Sequence, residues 1–202
     1  ADLIEGRPSS IRDPKLISKI RIMHKVAKIL ERKRIRRGAV QFRFAEEIFE
    51  YDSNKQMIGV GRSYQSCSMK LIEQFMLEAN ETIAHHCVKN KMPALFRVHD
   101  IPDTRKLRKM QQTFLKFGVK TPLAKLVDPR QFNKVIDQIK DLPQFEQLQV
   151  LLLRALPLAI YLTENKGHFG LAADYYTHFT SPIRRYPDLV VHRAIKQKLK
   201  QQ

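Results

Sequence analysis

The sequence predicts an α+β fold dominated by helices, with a small antiparallel sheet. Three observations carry that expectation. Leu16, Ile20, Met23, Ala27 and Leu30 recur at three- and four-residue steps, the period of a helix that buries one face. Two β-prone stretches, residues 47–51 and 57–60, flank an Asp52-Ser53-Asn54-Lys55 turn, the pattern of a hairpin. In the second half Asp103, Asp128-Pro129 and Pro143 each precede a helical pattern.

In order along the chain, residues 1–13 are polar, with Gly6, Pro8, Ser9 and Ser10, and are expected to form a flexible lead-in or a cloning remnant. Ile4-Glu5-Gly6-Arg7 has the look of a protease-site scar, so an excised piece of a longer protein is expected. The first long helix starts at Pro14 and ends in a basic run, Arg32 to Arg37, before Gly38 stops it. That run suits either the helix dipole and solvent or a direct contact with RNA. Residues 39–44 are expected to add a strand to the hairpin. A second amphipathic helix spans residues 68–90, with Leu71, Ile72, Phe75, Met76, Ala79 and Ile83 inward, and Pro93 ends it. Residues 94–99 form a short strand, residues 103–117 a helix closed by Gly118, and helices from Asp128-Pro129 and Pro143 follow, the latter ended by Pro157. A last helix is expected from Ser181, bent near Pro187. No linker divides residues 14–202, which read as one mixed unit.

Composition narrows the partners. The 202 residues include 37 Lys and Arg against 20 Asp and Glu, a formal charge of +17, which points to a polyanion. Membrane binding is the competing use of positive charge. No apolar run approaches the ~20 residues of a spanning helix, and no helix opposes a clean basic face to a bulky apolar one. Cys67 and Cys87 form neither a disulfide framework nor a zinc spacing, so they are expected to be reduced residues of a cytoplasmic protein without a signal peptide.

The chemistry concentrates in residues 168–193, HFGLAADYYTHFTSPIRRYPDLVVHR. Thr180 or Ser181 suits a helix cap and Pro182 a first helical position, which would set Arg184 and Arg185 where free amides and the dipole already favour an anion. Arg184 falls three residues after Ser181, so hydroxyl and guanidinium can grip one phosphate. Thr180 and Ser181 serve equally well as caps alone. His99, His168, His178 and His192 lie far apart, and His85-His86 are adjacent, so none has the spacing of a metal site.

This segment resembles the signature of the ribonuclease II superfamily, whose catalytic unit is the RNB domain, and most closely that of its bacterial processive exoribonucleases. Arg36-Arg37-Gly38-Ala39-Val40, Leu71-Ile72-Glu73, residues 94–100 (ALFRVHD) and Leu151-Leu152-Leu153-Arg154 resemble further blocks of the family, in the same order. The chain is accordingly expected to be the C-terminal portion, residues 14–202, of such a catalytic domain. The resemblance implies 3′-to-5′ hydrolysis of single-stranded or structured RNA, processively, to nucleoside 5′-monophosphates. It implies Mg2+ on clustered aspartates and a fold shared with an upstream part of the domain and flanking cold-shock and S1 RNA-binding domains. Arg184 matches the arginine that reaches the scissile phosphate, and Glu73 a glutamate of the RNA channel. Arg185 serves a neighbouring phosphate or pairs with an acid. Tyr175, Tyr176, Phe179 and Tyr186 are expected either to stack on bases or to support the site from within.

Two departures qualify the resemblance. Asp52, Asp100, Asp103, Asp128, Asp137, Asp141, Asp174 and Asp188 are scattered, so the Mg2+ ligands are expected outside this chain and no metal site within it. Ser66-Cys67-Ser68-Met69 replaces the family's usual aspartate-alanine-histidine approach to the glutamate helix. The competing expectations are a non-catalytic RNA-binding or ribonucleoprotein assembly module on a degenerate RNB fold, and a basic structural protein of a ribonucleoprotein particle.

Overall fold

The computed structural model describes residues 2–121 and 126–200. It divides into two compact units: residues 1–30 with 42–75, and residues 31–41 with 76–202. Helices α2 (Pro14–Arg37) and α3 (Cys67–Lys89) each contribute residues to both.

In the first unit the lead-in opens with one helical turn, α1 (Asp2–Glu5), closed by Arg7 pairing with Asp2 at 2.9 Å and with Glu5. Cys67 Sγ donates to Glu5 Oε1 at 2.9 Å, and both cysteines are free thiols. Strands β1 (Glu46–Tyr51) and β2 (Met57–Ser63) form the expected hairpin, in register Glu46↔Ser63 through Phe49↔Val60, with a bulge after Glu50. Its turn is built by Asp52, whose Oδ1 accepts the amides of Asn54 and Gln56 at 2.8 Å each, the local bonding that makes aspartate a turn residue. Ile48, Phe49, Tyr51, Ile58 and Val60 are all exposed, so the hairpin buries neither face against the described residues.

Residues 39–44 are not a strand, contrary to expectation. Their β propensity finds no partner strand. The Val40 amide instead donates to Gly170 O at 2.9 Å, and the Gln41 amide to Asn133 Oδ1 at 2.9 Å. Propensity selects extended backbone, but a strand exists only where a second edge accepts its hydrogen bonds.

The second unit contains the larger core. Helices α4 (Thr104–Lys116) and α5 (Pro129–Ile139) are each capped by the expected aspartate: Asp103 accepts from the Arg105 amide at 2.7 Å, and Asp128 from the Arg130 amide at 2.9 Å. Both pack against α6 (Phe145–Ala155), burying Leu107, Met110 and Phe114, then Phe132, Val135 and Ile139, then Leu148 and Leu152. Gly38 and Gly118 stop α2 and α4 at φ 115° and 74°, a region that only glycine enters without cost. Strand β3 (Phe96–Val98) pairs antiparallel with β4 (Ile160–Leu162), and Phe96, Val98, Ala84, Cys87, Met92 and Val191 form one apolar cluster.

Two further expectations are corrected. The buried face of α3 is Leu71, Gln74, Leu77, Asn80, Ala84 and Cys87, whereas Ile72 and Met76 are exposed. The last helix, α7 (Tyr186–Leu199), begins five residues after Ser181 rather than at it. Pro187 is the reason. Inside a helix its ring would collide with the carbonyl four residues back and its nitrogen would leave one hydrogen bond unmade, so it is tolerated only in the first turn. The expected bend therefore becomes the helix start. Among the described residues no helix is long and apolar enough to cross a membrane.

Candidate functional site

Residues 176–185 have little regular structure, yet the amides of Phe179, Thr180, Ser181, Arg184 and Arg185 all find acceptors. The Arg97 amide donates to Tyr176 O at 2.9 Å, Thr177 bridges to Phe96, and Thr177 Oγ1 donates to Leu95 O at 2.6 Å, so the approach to the signature lies along β3. Asn80, buried on α3, accepts the amides of Phe179 (3.0 Å) and Thr180 (3.3 Å) on Oδ1 and donates from Nδ2 to the Tyr176 hydroxyl at 3.1 Å. His192 of α7 donates from Nε2 to Phe179 O at 2.9 Å and stacks on the Phe179 ring, centroids 4.1 Å apart. Asp188, fully buried, accepts the Ser181 amide at 2.8 Å. Side chains of two helices thus do for this segment what a sheet ladder does elsewhere.

The two arginines diverge. Residues 181–185 make a single turn in which the amides of Arg184 and Arg185 return to Ser181 O, at 3.3 and 3.1 Å. Arg185 is extended, forms the N-cap of α7 and is ion-paired to Asp188 Oδ1 at 2.8 Å. Arg184 points out of the turn, exposed, with no side-chain hydrogen bond or ion pair among the described residues. Neither arginine lies in the first turn of a helix. Thr180 and Ser181 are half-buried, and their structural ties run through backbone amides rather than helix-capping hydroxyls. Tyr186 is 67% exposed, whereas Tyr175 lies half-buried against the core, edge-on to His85, and Tyr176 is buried. In the first unit Glu73 is half-buried on α3 and accepts from Gln65 Nε2 at 3.0 Å.

Three histidines far apart in the sequence, His99, His168 and His178, come together in the fold. His99 and His168 lie edge to face, with centroids 4.8 Å apart; His168, Tyr176 and His178 continue the row; and the Tyr161 hydroxyl shares a 2.6 Å hydrogen bond with His178 Nδ1. Arg97 lies over the Tyr161 ring at 4.7 Å. Burial, followed by the neighbouring His99, pushes His168 down to about 3. Burial, followed by the Arg185 guanidinium, pushes His178 down to about 4. Both rings are neutral near pH 7, and His178 accordingly adds no charge beside Arg184 and Arg185. Among the described residues no three His, Cys, Asp or Glu side chains gather in a way that would hold a metal ion.

Stability follows from these depressed values. An unfolded histidine takes its proton near pH 6.5, while the folded His168 refuses it until about 3, so the unfolded state binds more protons in between. The stabilisation is complete above pH 6.5 and declines as pH falls through that window. Melting temperature is expected to drop between pH 6.5 and 5 by an amount equivalent to at most about 1.4 kcal/mol per pH unit for His168. Substituting His168→Asn should make the profile shallower over that range; an unchanged slope would show that His168 is not buried neutral.

A cavity of about 500 Å³ adjoins the start of the signature at His168 and Phe169. Its lining sets Arg37, Arg130 and Lys166 beside Asp100, Asp128 and Asp174, so opposite charges balance. Arg37 is committed to Glu81 through two bonds of 2.7 Å and also reaches Leu171 O at 3.3 Å, tying the end of α2 to α3 and to the signature. Arg37 is recognisable as part of a motif, whereas Glu81 and Asn80 carry no motif signal in the sequence and Asp188 and His192 invite attention there only as metal ligands. The one available signal for Asn80 was its phase: it continues the helical face of Leu77, Ala84 and Cys87.

The RNB domain family model matches residues 1–201, and the chain belongs to that family. It is similar to ribonuclease R of Escherichia coli (strain K12), 39% identical over 90% of this chain and 22% of that protein. Among solved structures it is similar to Mycoplasma genitalium RNase R in complex with ribose-methylated single-stranded RNA, with a TM-score of 0.86 at 29% identity, covering 95% of this chain and 30% of that one. It is also similar to yeast Ssd1, a pseudonuclease, with a TM-score of 0.57 at 29% identity over 65% of this chain and 17% of that one. The chain spans about a quarter of the length of the curated relatives it matches.

Proposed function

We propose that the chain is the C-terminal portion of the catalytic domain of a cytoplasmic 3′-to-5′ exoribonuclease of the ribonuclease R kind, which degrades RNA processively to nucleoside 5′-monophosphates. The observation that carries this reading is the division of labour between the paired arginines. Arg185 is consumed by Asp188, while Arg184 stands exposed, with no ion-pair partner among the described residues, on a turn fixed by buried side chains. A planar guanidinium presented in this way can hold two oxygens of one phosphate, and such charge-assisted contacts are the strong ones.

Around Arg184, Tyr186 offers an exposed ring for stacking, and the hydroxyls of Thr180 and Ser181 lie within the same segment as polar contacts to the backbone. Tyr175, half-buried, supports the segment more than it meets a base. Glu73 contributes to the channel as the family pattern implies. The metal is a different matter: the donor set of the described residues does not fit a Mg2+ centre. The ligands are proposed to come from an upstream part of the domain, with cold-shock and S1 domains completing RNA capture.

The chain alone should bind a single-stranded oligoribonucleotide electrostatically. With a few phosphates neutralised, affinity is expected to fall roughly tenfold or more between 50 and 200 mM salt. Fluorescence anisotropy across a salt series checks this, and a flat response would remove the phosphate-binding reading. No Mg2+-dependent mononucleotide release is expected until the upstream segment is joined to it. A second reading is favoured by the likeness to a pseudonuclease: an RNA-binding or assembly module on a degenerate RNB fold. Mononucleotide release by the joined protein decides between the two.

A further inference from the structure

We propose that Asp188 is a positioning residue for the Arg184 contact with an RNA phosphate: it acts through the 181–185 turn and not on the RNA. The proposal rests on the phosphate reading of Arg184 given above. Asp188 has no exposed surface, so it cannot meet a ligand, and a carboxylate in that setting needs a reason to be there. Its Oδ1 accepts two bonds at once, from the Ser181 amide at 2.8 Å and from Arg185 at 2.8 Å. Ser181 and Arg185 are the two ends of the turn whose fourth residue is Arg184. One oxygen therefore pins both ends of the turn to the first turn of α7.

The pair is not optimised as an ion pair. Asp188 Oδ2 and Arg185 Nε are both buried without a hydrogen-bond partner, whereas a fork-to-fork arrangement would satisfy both. Stability alone would be served as well by two apolar side chains of similar volume. What apolar residues cannot supply is an acceptor for the Ser181 amide. Without it the turn keeps only its own bonds from Arg184 and Arg185 to Ser181 O, at 3.3 and 3.1 Å, and the Arg184 side chain loses its fixed origin. Fixing it in advance spares RNA the ordering cost at the moment of binding.

The test uses the whole chain, single-stranded oligoadenylate as the RNA, and amide hydrogen exchange. In the unsubstituted chain the Ser181 amide should be protected, and added RNA should raise that protection, because a turn that favours RNA must in turn be favoured by it. In Arg184→Ala the same RNA should leave Ser181 unchanged. In the paired substitution Arg185→Met with Asp188→Leu, Ser181 exchange should accelerate at least tenfold. RNA affinity should fall by about tenfold, to the level of Arg184→Ala, with no further loss when Arg184→Ala is added. Asp188→Asn, whose carbonyl oxygen still accepts both bonds, should restore most of the affinity that the paired substitution loses. Free exchange at Ser181 in the unsubstituted chain, protection indifferent to RNA, or additive losses would each overturn the proposal. Failure of the underlying phosphate reading looks different: Arg184→Ala then binds RNA normally while Ser181 still loses protection in the paired substitution, which removes the RNA role but leaves the hold of Asp188 on the turn.

Discussion

In the longer enzyme proposed above, Arg184→Ala is expected to lower turnover by about a hundredfold or more while weakening RNA binding much less. The asymmetry follows from where charge appears. A phosphodiester carries one negative charge in the ground state, and more accumulates on its oxygens as the bond to the departing nucleotide breaks. A guanidinium already fixed beside them gains interaction energy as that happens. Arg184 is suited to the role because, among the described residues, none hydrogen-bonds or ion-pairs with its guanidinium. Arg184→Lys should recover only part of the loss, since an ammonium cannot present two parallel donors. Arg185→Ala should behave in the opposite manner, chiefly destabilising the fold, because it strands a fully buried carboxylate. Single-turnover measurements beside binding isotherms separate the two; equal losses in both quantities would make Arg184 an anchor and not part of the chemistry.

Phe132→Ala should cost about 3–5 kcal/mol of stability, among the largest losses available from one substitution in this chain. Phe132 has no exposed surface and meets Phe169 edge to face at 5.6 Å, joining α5 to the first residues of the signature. Removing the ring opens a void between helices that already pack on α6, and neighbours fixed on three helices can close it only partly. Chemical denaturation of the purified chain measures the effect. A loss below about 1 kcal/mol would mean that the α4–α6 layer is loosely packed.

Most helices were legible because their information is local. Asp103 and Asp128-Pro129 cap α4 and α5 as their sequence suggests, and Gly38 ends α2 at a left-handed backbone position. The errors share a cause, in that each depended on a partner far away in sequence. Ile72 and Met76 were expected inside on hydrophobicity alone, yet α3 turns Gln74 and Asn80 inward, Asn80 because its amide serves backbone near residue 180. Residues 39–44 had strand-forming composition but no strand to join. The start of α7 was set too early because Thr180-Ser181-Pro182 is a sound capping sequence, and Pro187 outweighs it. Arg184 and Arg185 are neighbours of the same type, and only the position of Asp188 tells them apart. The aromatic row of His99, His168, Tyr176 and His178 had no signature in spacing at all.

The bond from the Phe179 amide to Asn80 spans 99 residues of chain, and that from Thr177 to Leu95 spans 82. Closing such long loops is a late and entropically expensive event in folding. The outward arginine therefore acquires its setting only after the rest of the second unit has consolidated. A synthetic peptide of residues 168–193 would carry every letter of the motif and none of its shape. A nascent chain would likewise present no fixed Arg184 until its helices had met.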